Sequence, residues 1–435
     1  MAVTNNNKEL ERVVGVTGLS LNIINITVGA GIFALPAIVG VELGGFSIFA
    51  YVFCGIMMAS IMLCYAEIGT RITKTGGSYA YVVAAFGDFF GFIVNWLAVF
   101  GWSILGSAAL MNIIADSLAV IFPIFSNPLI RGLFFFVLIA FLVVTNIRGA
   151  KEGVAFIKWI TIIKLLPLIG IIIFGLGHIN SSNLHWEHLP SLNTFGNTTL
   201  VLFFAFAGFE KALGASGEIK NPKRTIPLGI LLGGGVVIIL YLLLQTVTQG
   251  VLGSQMELVK DAPLAAVAKR IIGSFGGTML LIAAAISCFG AVSTDILSTP
   301  RVLFAGAKDG LFPKFLGKIH PKFATPYWSI ICFSALIFLF SISGGFQQLA
   351  ILASAAILLI YLFVVLATIK LRVKKQDDSE KTFKVPGGLV IPFIGVASII
   401  WLLTSLSKRE ILSMVIFIAV ISIIYLAMKW MQNRK

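Results

Sequence analysis

Apolar segments long enough to cross a lipid bilayer follow one another along the whole chain, separated by short polar stretches. A bilayer core of about 30 Å needs about 20 residues of helix. Twelve segments meet this requirement, at approximately residues 14–40, 44–69, 88–122, 131–147, 154–177, 196–217, 226–252, 275–301, 326–343, 346–371, 389–406 and 410–431. The pattern predicts an all-α membrane protein with twelve transmembrane helices, and an even number puts both termini on one side.

The first apolar segment is interrupted by the sequence VGAGIF at residues 28–33, with Pro36 close behind it. A spanning helix must satisfy its backbone polar groups internally, so broken backbone at this depth is tolerated where it lines an enclosed cavity. Small residues are also common where transmembrane helices touch. On this segment alone, a break that binds a solute and a helix contact are equally good interpretations.

The sixth apolar segment contains a second interruption, where Gly208 is followed by Glu210, Lys211 and a stretch rich in Gly and Ser. Two interrupted segments at matching places in two halves indicate a transporter with an inverted repeat and its binding site. We therefore predict a 5+5 inverted repeat with broken helices 1 and 6, plus two extra helices. The expected parts are an N-terminal tail at 1–13, five-helix repeats at 14–177 and 196–371, a loop at 372–388 and the last two helices at 389–431.

Composition and charge support this class and orient it. The chain is 58% hydrophobic and 11% charged, which excludes a typical soluble protein. If the N-terminus is cytoplasmic, six of the 32 Lys and Arg residues lie on the outer side, Lys164 lies inside a span, and the rest are cytoplasmic. This bias follows the positive-inside rule, so the net charge of +14 reflects topology and predicts no nucleic-acid partner. We expect no cleaved signal peptide, because the polar start leads directly into a full-length span.

Two charges inside spans need an explanation. Lys164 lies about two turns into the fifth segment, where a buried ammonium costs at least ~2.5 kcal/mol and usually marks an ion or proton pathway. Snorkelling of its long side chain to the surface is the alternative. Asp295, in the eighth segment, could pair with Lys164, bind a cationic substrate side chain or carry a proton.

Four separated motifs carry a family resemblance. They are GxGIFxxP at 29–36, YAExxxR at 65–71, GGSYxY at 76–81 and GEIKNPKRTIPLGI at 217–230. Together they resemble amino acid permeases of the amino acid/polyamine/organocation superfamily, which implies the LeuT-like fold and amino acid transport. The resemblance places Lys164 where sodium-coupled relatives hold Na⁺, with the hydroxyls of Ser293 and Thr294 facing it and Phe204 as an outer gate. Asp295 departs from the family's usual neutral or aromatic residue, which puts the substrate identity in doubt.

Helix ends at the two breaks suggest how a solute would be held. Unwinding exposes N–H groups at Gly29, Ala30 and Gly31, where the helix dipole favours a carboxylate. Carbonyls near Thr27, Phe204, Ala205 and Ala207 could accept from an ammonium, so the site matches an α-amino acid. The predicted substrate-binding residues are Thr27, Gly29, Ala30, Gly31, Phe204, Ala205, Ala207, Glu210 and Asp295, and the predicted ion-coupling residues are Lys164, Ser293 and Thr294.

The sequence therefore predicts a secondary active transporter that moves an amino acid across the cytoplasmic membrane by alternating access. No GxxxxGK[ST] motif is present, so coupling is expected to come from an ion or substrate gradient. Proton-coupled symport is the preferred mode because of Lys164, and an amino acid/amine exchanger is the alternative, with a nutrient sensor or channel on the same scaffold as a second class. We expect no enzyme activity, cofactor or metal, and a monomer or homodimer in the lipid bilayer.

Overall fold

The computed structural model describes residues 12–432 apart from 30, 74–75, 149–152, 187, 215, 309, 311 and 375–382, and it describes residues 153–163 by their backbone alone. Within these ranges the regular elements are all helices, and the extended residues Val14 and Ile219 form an isolated parallel bridge. The sequence-based prediction of an all-α protein is confirmed for this part of the chain.

Sixteen α-helices follow one another in the described residues. They are α1 (Val16–Thr27), α2 (Gly31–Leu43), α3 (Ser47–Arg71), α4 (Gly77–Phe86), α5 (Asp88–Trp96), α6 (Leu105–Ile121), α7 (Pro128–Arg148), α8 (Gly153–Gly175), α9 (Leu192–Phe206), α10 (Pro222–Leu252), α11 (Pro263–Ile272), α12 (Ser274–Lys308), α13 (Tyr327–Ser343), α14 (Phe346–Val373), α15 (Val390–Thr404) and α16 (Lys408–Gln432). A π-helical stretch, Leu97–Ile104, joins α5 to α6. Short 3₁₀ turns occupy Gly44–Phe46, Pro123–Ser126, Leu176–His178, Ser181–Leu184, Phe209–Leu213, Ser216–Glu218, Gly253–Val259 and Lys314–Gly317.

Eight helical runs among the described residues are long and apolar enough to cross a membrane, and five shorter apolar helices accompany them. The chain is accordingly a multi-pass membrane protein. Two helices lie between the apolar segments predicted from the sequence: α4, which is one of the five shorter apolar helices, and α11. Each has ten residues, so a search for segments of spanning length does not find them.

The interrupted helices lie inside the helical bundle and not at its surface. Helix α10 packs against α1 and α3, α2 packs against α9, and α12 packs against α6. Most α16 side chains, in contrast, are exposed or only partly buried, as expected of a helix at the lipid boundary. The two breaks are therefore surrounded by protein, which is the setting in which a membrane protein tolerates irregular backbone.

A buried carboxylate fastens the end of α3 to the end of α14. Glu67 is fully buried and accepts hydrogen bonds from Arg71 at 2.9 Å, from Arg372 Nε at 3.0 Å and from the Val385 N–H at 2.9 Å. A second bond from Arg372 reaches the other carboxylate oxygen. Because two guanidinium groups and a backbone donor share one carboxylate, this cluster fixes the helix ends on that side of the bundle.

A candidate solute-binding site at the two helix breaks

The first break lies between α1 and α2. Val28 leaves the helical conformation, with φ −72° and ψ 72°, and its N–H still donates to Ile24. The next N–H, of Gly29, donates to the Thr27 carbonyl at 2.7 Å, whereas a continuous helix would direct it to the Asn25 carbonyl. The break thus directs the Gly29 N–H, which we predicted for a carboxylate, to the Thr27 carbonyl in place of the Asn25 carbonyl. Helix α2 then begins at Gly31.

The second break follows α9. Ala207 is extended, with φ −80° and ψ 162°, and Gly208 has φ +116°, a value that side chains strongly disfavour. The carboxylate of Glu210 turns back to this point and accepts from the Gly208 N–H at 3.0 Å and from the Tyr361 hydroxyl at 2.5 Å. Glu210 is therefore buried in protein, where its carboxylate stabilises the second break.

A cavity of about 280 Å³ lies between the two breaks. Among the predicted site residues, the structure places Thr27, Gly29, Gly31, Lys164, Phe204, Ala205, Ala207, Thr294 and Asp295 on its wall. It brings Glu210 to the contact with Tyr361 and leaves Ser293 off the described wall. Ala30 falls outside the described residues. One cavity thus collects residues from five separate elements of the sequence.

Lys164 reaches the first break from α8. Its ammonium donates to the Asn25 carbonyl, which does not receive the Gly29 N–H at the break. The side chain is 4% exposed, so it does not snorkel to the surface. The hydroxyl of Thr294, which we expected to face this lysine, donates to the Gly290 carbonyl of its own helix at 2.8 Å.

Asp295 pairs with Lys211 across the cavity wall. The Lys211 ammonium lies 2.6 Å from Asp295 Oδ1, and the Ser107 hydroxyl donates to Asp295 Oδ2 at 3.0 Å. The same ammonium lies 5.9 Å from the centre of the Trp102 ring. Of the alternatives left open for Asp295, an ion pair is therefore present, but its partner is Lys211 and not Lys164. Sequence reasoning missed Lys211, Ser107 and Trp102, although Lys211 and Asp295 carry opposite charges on two segments already assigned to the site.

Tyr241 of α10 holds the two breaks together. Its buried hydroxyl lies 2.9 Å from the Thr27 carbonyl and 3.0 Å from the Ala205 carbonyl, and it can donate to one of them at a time. Both carbonyls had been predicted to face an ammonium group. The Ala205 carbonyl keeps a second lone pair for that purpose. The Thr27 carbonyl also accepts from the Gly29 N–H, so it has a free lone pair only when the tyrosine donates to Ala205.

Three buried polar atoms on the cavity wall lack a hydrogen-bond partner in the described structure. They are the Thr27 hydroxyl, the Trp102 indole N–H and the Ser287 hydroxyl. Buried polar groups in folded proteins nearly always find a partner, and each that does not calls for an explanation.

The two ends of the cavity differ in exposure. At one end the buried ring of Phe204 packs edge-on against Trp102 and Phe346, with ring centres 5.6 and 5.8 Å apart. At the other end Lys211, Thr294 and Ser298 are exposed. The cavity is therefore covered by aromatic rings on one side and accessible from the opposite side.

Comparisons with known proteins identify a family and several relatives. A family model described as amino acid permease matches residues 13–429. The chain is 29% identical to the serine/threonine exchanger SteT of Bacillus subtilis (strain 168), covering 91% of each chain. It is 27% identical to the branched-chain amino acid permease BcaP of the same organism, covering 98% of this chain and 94% of that one, and 27% identical to its methylthioribose transporter, covering 98% and 95%. The names of these three relatives refer to different substrates.

Proposed function

The chain belongs to the amino acid permease family, and from this membership we propose that it moves an amino acid across the cytoplasmic membrane by alternating access. The observation that carries the proposal is the 280 Å³ cavity enclosed by two helix breaks. Broken helices at such a site present backbone donors and acceptors to a solute at bilayer depth.

The backbone groups at the breaks suit the two ends of an α-amino acid. The first turn of α2 starts at Gly31, where unpaired N–H groups and the helix dipole favour a carboxylate. The carbonyls of Thr27 and Ala205 are close enough to share the Tyr241 hydroxyl, and the Ala205 carbonyl retains a lone pair for an ammonium. We assign substrate binding to these groups and to Phe204 and Ala207, with Gly29 lining the cavity while its own N–H is bonded to Thr27.

We further propose twelve transmembrane helices in a 5+5 inverted repeat, with α1–α2 and α9 plus its following turns as the paired broken helices. Cytoplasmic termini follow from the distribution of Lys and Arg. In that orientation the exposed end of the cavity, at Thr294 and Ser298, faces the cytoplasm, and Phe204 covers the outer side. The structure then represents a state open to the cytoplasm.

Proton symport is the coupling mode we propose. Lys164 is a buried cation bonded to the unwound end of α1, so a change in its charge would alter the geometry of the break. Exchange of internal for external amino acid is the second candidate. It is favoured by the similarity to SteT, which is named as an exchanger.

Transport by the purified protein in liposomes tests whether the chain moves an amino acid and which coupling mode it uses. Each of the twenty amino acids is supplied with a radiolabel, either with an inward proton gradient and an empty lumen or with unlabelled amino acids inside and no gradient. Accumulation driven by the gradient alone supports symport. Uptake that requires internal amino acid contradicts symport and supports exchange. If no amino acid enters above protein-free liposomes under either condition, the transport proposal fails.

A further inference from the structure

We propose that the transported amino acid carries an uncharged polar side chain, a hydroxyl or a carboxamide, and that the Lys211–Asp295 ion pair selects it. The inference rests on the proposed transport function. It concerns the part of the cavity away from the backbone groups at the two breaks, where the substrate side chain would lie.

The ion pair offers hydrogen-bond donors and acceptors to the same ligand. An ammonium has three donors, and Lys211 uses one of them on Asp295 at 2.6 Å. Each Asp295 oxygen accepts one bond, from Lys211 or Ser107, and keeps a free lone pair. Both residues lie on the cavity wall, and a third of the Lys211 side chain is exposed. A hydroxyl or carboxamide, which both donates and accepts, can bond to both members without separating them.

A charged substrate side chain is disfavoured whatever its sign. A cationic group would approach Asp295 only by competing with Lys211, and an anionic group would approach Lys211 only by competing with Asp295. In either case one member of a partly buried pair loses its partner, which is much less favourable than leaving the pair intact. The pair therefore disfavours both cationic and anionic substrate side chains.

An apolar side chain is disfavoured for another reason. It would cover the remaining donors of Lys211 and the remaining lone pairs of Asp295 without bonding to them. The cavity volume of about 280 Å³ is just below the usual range of about 300–1,000 Å³ for small-molecule sites, and Gly106, Gly290 and Ala291 on its wall leave room for a substrate side chain. Together these features point to an uncharged polar substrate.

The test compares five radiolabelled amino acids, serine, glutamine, leucine, lysine and glutamate, in liposomes preloaded with all twenty unlabelled amino acids. Preloading allows uptake by symport or exchange alike. We expect kcat/KM for serine or glutamine to exceed that for each of the other three by at least tenfold. A wild-type preference for leucine, lysine or glutamate overturns the inference without any variant.

Variants that remove one charge of the pair should shift the substrate preference in opposite directions. In Asp295→Asn, the unpaired Lys211 should raise the ratio of glutamate uptake to serine uptake at least tenfold. In Lys211→Met, the unpaired Asp295 should raise the ratio of lysine uptake to serine uptake at least tenfold. The double variant Lys211→Met/Asp295→Asn removes both charges and should raise leucine relative to both charged substrates. If one single variant fails to fold, the other and the neutral double variant still decide the question.

Two exposed charges outside the cavity provide matched controls. Lys318→Met and Asp88→Asn remove the same charges from the surface and should leave all five ratios unchanged. If the pair only gates the cavity, its variants will lower uptake of all five substrates in the same proportion, and the inference is then wrong. Absence of uptake of all five by the wild type would instead count against transport itself.

Discussion

The ammonium of Lys164 donates a hydrogen bond to the main-chain carbonyl of Asn25, joining α8 to the unwound end of α1. The break deprives this carbonyl of its helical donor, and burial deprives the lysine of water. The hydrogen bond therefore offsets both the cost of the break at the carbonyl and the cost of burying the lysine. Removal of the cation would alter the break as well as the charge of the site.

The first prediction concerns this contact. Lys164→Met should lower the initial rate of uptake at least tenfold and abolish its response to a proton gradient, because the Asn25 carbonyl loses its donor and the site loses its titratable cation. Liposome uptake with and without a gradient measures both effects, and Lys318→Met serves as the control. Gradient-driven uptake at the wild-type rate in Lys164→Met would rule out the coupling role.

The second prediction separates two glycines of the first break. A Cβ added at Gly31 would lie 3.2 Å from the Ala205 Cα and Cβ, so α2 and α9 would have to move apart. At Gly29 the nearest atoms would be carbonyl oxygens at 3.8 and 3.9 Å, which is ordinary contact. We expect Gly31→Ala to reduce uptake at least tenfold and Gly29→Ala to reduce it less than threefold. Equal losses in both variants would contradict this assignment.

Sequence reasoning located the breaks because glycine-rich interruptions stand out in long apolar segments. It also found Lys164 and Asp295, since charges inside spans are rare. The partners of these charges could not be found in the same way, because Ser107 and Lys211 reach Asp295 only through the packing of α6 and α12 beside the second break. A linear pattern shows which residues need partners and leaves the choice among distant segments open.

Tyr241 illustrates the same limit. It is one tyrosine in a long apolar helix, and nothing in its neighbourhood distinguishes it from the buried Tyr51. The difference appears only when α10 is placed beside both breaks. Glu210 was predicted to bind the substrate, and its carboxylate turns back to Gly208 and Tyr361, a contact that the linear pattern does not reveal.

The third prediction tests the buried cluster at the ends of α3 and α14. Glu67→Gln leaves Arg71 and Arg372 without a carboxylate, and breaking a buried pair in this way costs about 3–5 kcal/mol. The melting temperature in detergent should fall markedly. Glu257→Gln is the control, because Glu257 pairs with Lys260 at 3.8 Å in an exposed position, where such pairs contribute little. Similar melting temperatures for both variants would refute the structural role of Glu67.

The fourth prediction concerns orientation. In the proposed topology the turn containing Glu257 faces outward and the segment containing Lys318 faces the cytoplasm. A membrane-impermeant maleimide should label Glu257→Cys in intact cells and Lys318→Cys only after permeabilisation. Background labelling should be low, because three of the four native cysteines are buried and the other is partly buried. The reverse labelling pattern would invert the topology and place the open end of the cavity outside.

The fifth prediction isolates one hydroxyl. Tyr241→Phe removes the group that lies between the Thr27 and Ala205 carbonyls while keeping the ring, so stability should fall by about 1 kcal/mol. The KM for the transported amino acid should rise several-fold, because these carbonyls are no longer held together. Tyr51→Phe is the control, since the Tyr51 hydroxyl is equally buried but lacks a partner in the described structure. Removing it should leave KM unchanged and stability unchanged or higher. If both variants keep a wild-type KM, Tyr241 does not position the carbonyls for the substrate.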